Sequence, residues 1–178
     1  MTIETSRLIL REWRDTDRKP FARMNADPRV MEYLSAPLSP EQSDALMDRG
    51  KAVFEKHGYG PWAAELKASG TLIGFIGLMV PSFEAHFTPC VEIGWRLAFE
   101  FWGKGLATEG ARGVLKSAFG EFGLDNVVSF TAAGNVRSRR VMEKLGMSHD
   151  PADDFDHPRV PEGDPLRRHV LYRLKRDI

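Results

Sequence analysis

The glycine-rich turn Gly103-Lys104-Gly105 is the stretch of this sequence whose residue types and spacing best suit chemistry. It lies where an alternating apolar pattern changes to a helical one. Unpaired amides and the positive dipole end at a helix N-terminus attract anions, and glycines allow a bulky anion to approach. We therefore expect a phosphate-binding turn, with a purely structural turn as the alternative. Neither the P-loop nor the dinucleotide motif is present.

The residues around the turn predict a strand before it and a long helix after it. In the segment 91–97, apolar residues alternate with Glu92, Gly94 and Arg96, which indicates a strand with one apolar face. The helical spacing that begins at Leu106 continues to about Phe122. The order strand, turn, helix would direct the turn amides toward a ligand at the end of the strand.

Several motifs in order resemble one known family. Trp102–Glu109 (Trp-Gly-Lys-Gly-Leu-Ala-Thr-Glu), the preceding Val91–Trp95 and the following Asn135–Met147 are similar to the acetyl-CoA-binding core of the GNAT superfamily of N-acetyltransferases. The opening Thr5–Trp13 fits, more narrowly, the branch that acetylates ribosomal-protein N-termini. The likeness extends from about Arg7 to Met147.

This resemblance implies acetyl-CoA as the acetyl donor and a set of residues that bind it. Turn amides would hold the pyrophosphate, backbone groups after the central strand would bind the pantetheine arm, and an amide there would polarise the thioester carbonyl. Trp102 departs from the family, which usually has Gln or Arg there. Arg139 and Arg140 would reach the nucleotide phosphates, with a solvated helix face as the alternative for both. The implied donor-binding residues are Leu97, Ala98, Phe99, Trp102, Gly103, Lys104, Gly105, Leu106, Ala107, Thr108, Asn135 and Arg140.

The resemblance also implies direct acetyl transfer to an amine, which needs a base and an acid but no enzyme nucleophile. Glu92 is the expected general base, with a charge pair to Arg96 as its structural alternative. Glu65 is the second candidate base. The helix after Asn135 lacks the tyrosine that many family members place there. Ser138 matches the serine used by the ribosomal branch, so the resemblance implies it as the general acid; otherwise it is a helix-start serine.

The remaining cysteine and histidine residues give weaker signals. Cys90 is the one cysteine and is expected to fill space rather than act as a nucleophile. His149, His157 and His169 are too scattered for a metal site, so no metal is expected. The segments 157–159 and 167–169 would either line an acceptor pocket or form solvated loop surface.

Length and composition predict one domain over residues 1–178. The 25 basic and 25 acidic side chains balance, which gives no case for nucleic-acid or membrane attraction. There is no apolar signal segment and no run near the ~18 apolar residues of a membrane span, so we expect a cytoplasmic protein. The amine acceptor is unknown from the sequence, and a homodimer is possible by analogy with relatives.

Alternation of strand and helix patterns predicts an α/β (α+β) fold with a mixed, mostly antiparallel central sheet flanked by helices. The resemblance implies the GNAT arrangement, in which the strands bearing Glu92 and Val127 splay apart to admit the donor. Asp15 or Asp17, Asp27, Ser39 and Asn135 are expected helix caps. The expected strands are 7–11, 62–67, 72–80, 127–131 and 170–174, and 150–165 is expected to be an irregular loop.

Two other functions remain open from the sequence. The first is a non-catalytic module or sensor that binds acyl-CoA. The second is a domain of the same fold that binds no cofactor, in which the Gly103 turn is only structural.

Overall fold

The computed structural model describes residues 1–34 and 36–176. Its strands form one sheet. They are β1 (Ile3–Glu4), β2 (Leu8–Arg11), β3 (Pro61–Leu66), β4 (Leu72–Met79), β5 (Glu92–Leu97), β6 (Asn126–Ala132), β7 (Ser148–His149), β8 (Phe155–Asp156) and β9 (Arg168–Lys175). The helices are α1 (Arg18–Asn25), α2 (Pro28–Met31), α3 (Pro40–His57), α4 (Leu106–Gly120) and α5 (Val136–Lys144).

The sheet order is β1-β2-β3-β4-β5-β6-β9-β7, with β8 paired to β9. All neighbours are antiparallel except β5 and β6, which are parallel. Six residue pairs join β4 to β5, from Gly74–Leu97 to Met79–Glu92, whereas β5 and β6 pair at Glu92 and Val128 alone in the described chain. Beyond that pair the two strands splay apart. The mixed, mostly antiparallel sheet and its opening confirm the expected fold class.

Helices cover both faces of the sheet and bury two main apolar clusters. One face packs on α4, whose Ala111, Val114 and Ala118 are completely buried together with sheet residues such as Ile76 and Ile93. In the second cluster, helices α1, α2 and α3 pack on Ala63 of β3 and Phe75 of β4. The helices before β3 therefore lie on one side of the opening between the splayed strands. The beginning of α4 lies on the other side.

Three expected caps match the structure. Ser39 and Gln42 form the predicted capping box, with the Ser39 hydroxyl accepting from the Gln42 amide at 3.2 Å and the Gln42 side chain accepting from the Ser39 amide at 2.9 Å. Asp27 accepts from the Arg29 amide at 2.9 Å, and Asn135 accepts from the Ser138 amide at 3.2 Å. These local signals position α2, α3 and α5.

The expected cap at Asp15 or Asp17 is wrong. Asp17 occupies the residue before α1, but its carboxylate makes no capping bond to that helix. It instead accepts two hydrogen bonds from Arg11, at 2.8 and 2.9 Å, and one from the Arg14 amide at 2.8 Å. The buried guanidinium of Arg11 is a stronger partner for a carboxylate than a helix amide.

The stretch 150–165 is only partly the irregular loop that the sequence predicts. It contains a 3₁₀ turn at Pro151–Asp153 and the short strand β8, which pairs with β9 through Phe155 and His169. Phe155 is buried against Phe87 and Phe130, which helps to hold the segment on the sheet. No helix among residues 1–34 and 36–176 is long and apolar enough to cross a membrane.

Candidate active site

A cleft of ≈ 540 Å³ opens between the splayed strands β5 and β6. The start of α4, helix α5 and the α1–α2 side supply its walls. Of the residues singled out from the sequence, eleven line it: Glu92, Leu97, Trp102, Gly103, Gly105, Leu106, Ala107, Thr108, Asn135, Ser138 and Arg140. Ala98, Phe99, Lys104 and Glu65 are not among the lining residues.

At the turn before α4, several backbone amides have no acceptor among the described residues and can bind a ligand. Gly103 and Gly105 have φ of 72° and 76°, the left-handed region that other residues rarely adopt. The first intrahelical bond of α4 runs from the Glu109 amide to the Gly105 carbonyl at 3.0 Å. The amides of Leu106, Ala107 and Thr108 precede it and are directed out of the helix start. Their partial positive charge suits an anion in the cleft.

A side chain from the bend between β1 and β2 holds this turn in place. The Arg7 guanidinium donates to the Lys104 carbonyl at 3.0 Å and to the Glu109 carboxylate at 2.6 Å. Glu109 in turn accepts from the Thr5 hydroxyl at 2.6 Å and from the Arg7 amide at 2.7 Å. Its carboxylate has three donors, and their hydrogen bonds help to keep the pKa of Glu109 below its ordinary value despite partial burial. No local pattern in the sequence indicates this long-range contact.

Glu92 is at the inner end of the cleft, where β5 and β6 are still paired. Its side chain makes no hydrogen bond or ion pair with any other described residue, so the charge pair with Arg96 is absent there. Removal from water raises the pKa of Glu92 from 4.5 to about 8. A carboxyl group with that pKa can accept a proton near neutral pH.

Glu65, the other candidate base, is engaged elsewhere. Its carboxylate accepts from Arg11 at 2.7 Å and lies 3.6 Å from Arg14. Arg11 also binds Asp17, so the three side chains form a largely buried network between β2, β3 and the residue before α1. Glu65 is thus held by this network and does not line the cleft.

Asn135 and Ser138 face the cleft at the beginning of α5. The Asn135 amide nitrogen donates to the Thr131 hydroxyl at 3.0 Å, while its oxygen accepts from the Ser138 backbone. Both ends of the amide are therefore held. The Ser138 hydroxyl makes no hydrogen bond within the described chain, which leaves it able to bond a ligand in the cleft.

The large side chains near the turn differ in their roles. The Trp102 indole donates to the Leu97 carbonyl at 2.7 Å, and the Arg137 guanidinium lies 4.8 Å from its ring centroid. Arg140 lines the cleft, whereas Arg139 bonds the Ala133 carbonyl and the Tyr172 hydroxyl. Only Arg140 of this pair is therefore available to a ligand phosphate in the cleft.

The other singled-out residues lie outside the cleft. Cys90 packs in an apolar cluster with Phe87 and Phe155, and burial raises the pKa of its thiol to about 11. The rings of His157 and His169 are 4.9 Å apart on the same cluster. Neither histidine lines the cleft. Among residues 1–34 and 36–176, no group of three or more His, Cys, Asp or Glu side chains is placed to hold a metal ion.

Sequence reasoning missed a cation on the cleft wall. Arg96 lies on the same face of β5 as Glu92 and donates to the Asn25 side-chain oxygen at 2.8 Å. Asn25 is completely buried at the end of α1, and its nitrogen donates to the Ser43 hydroxyl at 2.9 Å. The alternating pattern around Glu92 marked the face that bears Arg96, but not the partner on α1.

Comparisons with known proteins give the family that the sequence matches. The family described as "Acetyltransferase (GNAT) domain" matches residues 7–148. The chain is 32% identical over 158 residues to an FsC-acetyl coenzyme A-N(2)-transacetylase of Aspergillus fumigatus, covering 83% of this chain and 65% of that protein. It is also 44% identical over 55 residues to a putative ribosomal N-acetyltransferase, YdaF, of Bacillus subtilis. That match covers 31% of this chain and 30% of YdaF.

A solved structure shares the whole fold. The acetyltransferase (GNAT family) from Bacillus anthracis superposes with a TM-score of 0.81 at 25% identity, covering 98% of both chains. The similarity thus extends over the whole described fold.

Proposed function

Because this chain belongs to the GNAT acetyltransferase family, we propose that it moves an acetyl group from acetyl-CoA directly to a primary amine. The acceptor is either a protein N-terminus or a small-molecule amine. Transfer occurs in a ternary complex with no covalent enzyme intermediate.

The observation that carries the proposal is the free set of amides at the start of α4 beside a cleft that ends at Glu92. The amides of Leu106, Ala107 and Thr108 suit a pyrophosphate, and Arg140 adds a positive charge on the facing helix. The thioester arm then follows the splayed edge of β5 near Leu97. A cleft of ≈ 540 Å³ is within the ordinary size range of a small-molecule site.

The acceptor nitrogen must lose two protons, and the departing thiolate must gain one. Glu92, with a pKa of about 8, takes the first proton from the acceptor ammonium, directly or through a water molecule. The neutral amine attacks the acetyl carbonyl carbon, a C–N bond forms, the C–S bond breaks and the nitrogen releases its second proton to solvent. Ser138 donates its hydroxyl proton to the departing thiolate and regains one from solvent. Backbone amides after Leu97 stabilise the charge on the carbonyl oxygen.

Thiol release tests this function. Purified protein with acetyl-CoA is offered a panel of amines and N-terminal peptides, and free CoA thiol is measured. The proposal expects amine-dependent release that falls strongly in Glu92→Gln. Tight acetyl-CoA binding without release for any amine would instead favour a non-catalytic acyl-CoA-binding module.

A further inference from the structure

The guanidinium of Arg96 is enclosed in the cleft wall, and no carboxylate among residues 1–34 and 36–176 is paired with it. Among the described residues its one hydrogen-bond acceptor is the neutral side chain of Asn25, at 2.8 Å. The ring of Phe75 also lies beside it, 5.6 Å from the guanidinium carbon to the ring centroid. A guanidinium has five N–H donors in a planar fork, so the others have no acceptor among the described residues, and the side chain lines the cleft.

Other cations around the cleft are in a different situation. Arg29 is paired with Asp27 at 2.6 Å, and Arg137 is paired with Glu32. Arg140 and Lys144 are exposed on α5, where water solvates their charges. Arg96 is the cleft cation that combines enclosure with the lack of a carboxylate partner in the described chain.

The cost of this arrangement is visible in the ionisation of the side chain. Loss of hydration lowers the pKa of Arg96 to about 10, with no carboxylate close enough to offset it. Burying a charge without a counterion is unfavourable, and the penalty is offset when a ligand supplies the opposite charge.

The guanidinium is also held in a fixed position. Asn25 is completely buried, and its amide is oriented from its other end by the bond to Ser43 at 2.9 Å. The backbone carbonyl of Asn25 accepts a hydrogen bond from the Leu38 backbone amide at 2.9 Å. This bond connects the segment before α3 to α1. Two successive hydrogen bonds, from Asn25 to Ser43 and from Arg96 to Asn25, therefore hold the guanidinium in position. A preorganised binding group needs such support.

We propose that Arg96 binds an anionic group, a carboxylate or a phosphate, carried by the amine acceptor. This inference rests on the proposed function and specifies its substrate class. Bidentate pairing with such an oxyanion uses the donors of Arg96 that Asn25 leaves free. The acceptor is then an amine that also bears a negative charge.

The register of β5 sets the spacing within that acceptor. Glu92 and Arg96 are four residues apart on the same strand face, a Cα separation of about 13 Å. The reacting amine meets Glu92 and the anion meets Arg96. A spacer of several bonds between the two groups fits better than an α-amino acid, whose amine and carboxylate share one carbon.

Matched pairs of amines test the inference in a thiol-release assay at saturating acetyl-CoA. β-Alanine, γ-aminobutyrate and ε-aminocaproate are each compared with their carboxamides, and phosphoethanolamine with ethanolamine. We expect a charged member to exceed its neutral partner in kcat/KM by roughly 10- to 100-fold. The carboxylate and phosphate arms identify which oxyanion is preferred.

Variants assign any preference to the residue. Arg96→Gln should reduce the ratio of kcat/KM for charged and neutral amines to about one and retain acetyl-CoA affinity. Arg96→Lys should keep part of this ratio, because lysine preserves the positive charge but not the two-pronged hydrogen bonding of a guanidinium. Arg23→Gln removes the same charge from the exposed side of α1, away from the cleft, and should keep the whole ratio. Thermal unfolding confirms that each variant is folded.

The outcomes separate the inference from the function on which it rests. Equal turnover of charged and neutral partners by the wild type, or a preference that survives in Arg96→Gln, overturns the inference and leaves the acetyltransferase standing. A loss of acetyl-CoA affinity in Arg96→Gln also overturns it, since the anion would then belong to the donor. No turnover of any amine overturns both proposals.

Discussion

Glu92 and Val128 form the pair at which β5 and β6 meet, and beyond them the strands separate. The Val128 amide donates to the Val91 carbonyl at 2.9 Å, which fixes the backbone beside Glu92. The carboxylate is therefore attached to the last paired position of the sheet while its side chain faces the cleft. A rigid backbone and a partner-free carboxyl group are what a proton acceptor needs.

Replacing Glu92 by Gln should lower kcat by about 10²- to 10⁴-fold, because the amide cannot accept the ammonium proton. In the wild type, kcat/KM should rise with pH up to about 8, where the Glu92 carboxyl ionises. The pH profile of Glu92→Gln should lack this rise and should show only the ionisation of the amine substrate. The pH profile of both enzymes with one amine checks this, and an unchanged rise in the variant would exclude Glu92 as the base.

The same ionisation should affect stability. The pKa of Glu92 is raised on folding from 4.5 to about 8, so the folded state binds the proton more tightly. The contribution of Glu92 to the free energy of unfolding is fully present below about pH 4.5 and is lost as the pH rises through about 8. The unfolding free energy of the wild type relative to Glu92→Gln should therefore fall across this interval in urea titrations. A flat difference would mean that the carboxyl group is solvated.

Glu65→Gln should leave kcat nearly unchanged and destabilise the protein. Glu65 binds the buried Arg11 at 2.7 Å, and removing its charge weakens a network that also includes Asp17. A loss of about 1–3 kcal/mol is expected. Urea unfolding and steady-state kinetics separate the two effects. A large fall in kcat with normal stability would make Glu65 the base instead.

The parts of the fold that were predictable from sequence are those with local signals. The Ser39 capping box and the Asn135 cap depend on residues three positions apart, and both match. The strand alternation through Ile93 and the helical spacing from Leu106 are equally local. The opening between strands was expected only from family resemblance, because register between distant strands has no local pattern.

Ser138→Ala should reduce kcat by up to about 100-fold with little change in acetyl-CoA affinity, because only the thiolate needs the hydroxyl proton. The Ser138 backbone bond to Asn135 is unaffected by this change. Asn135→Ala is a useful comparison, since it removes the cap of α5 at a cost of about 1 kcal/mol. Titration calorimetry and rapid-mix kinetics measure the two quantities. Normal kcat in Ser138→Ala would return this residue to a structural role.

Arg7→Gln should raise the acetyl-CoA Kd by roughly 3- to 10-fold, because it removes the bonds to the Lys104 carbonyl and Glu109 that hold the turn. Lys67→Gln is the matched control. It breaks an exposed ion pair with Glu4 at 2.9 Å outside the cleft and should leave the Kd unchanged. Equal affinities in all three proteins would show that the turn needs no support from Arg7.

The parts of the site that escaped prediction depend on long-range contacts. Arg96 and Asn25 are 71 residues apart, and each has a polar side chain that is ordinarily solvated. Arg7 and Lys104 are 97 apart. In β8, one buried aromatic residue, Phe155, replaces the alternation by which a strand is recognised. Only the folded sheet brings such residues together.

Titration calorimetry with acetyl-CoA tests the central claim most directly, using wild type, Gly105→Glu and Gly163→Glu. Both glycines have positive φ, 76° and 82°, so the backbone strain is matched, but Gly163 lies in a loop outside the cleft. We predict micromolar binding by the wild type and Gly163→Glu, and none by folded Gly105→Glu, whose carboxylate would repel phosphate. Equal binding by Gly105→Glu, or none by the wild type, would contradict a donor site at the start of α4.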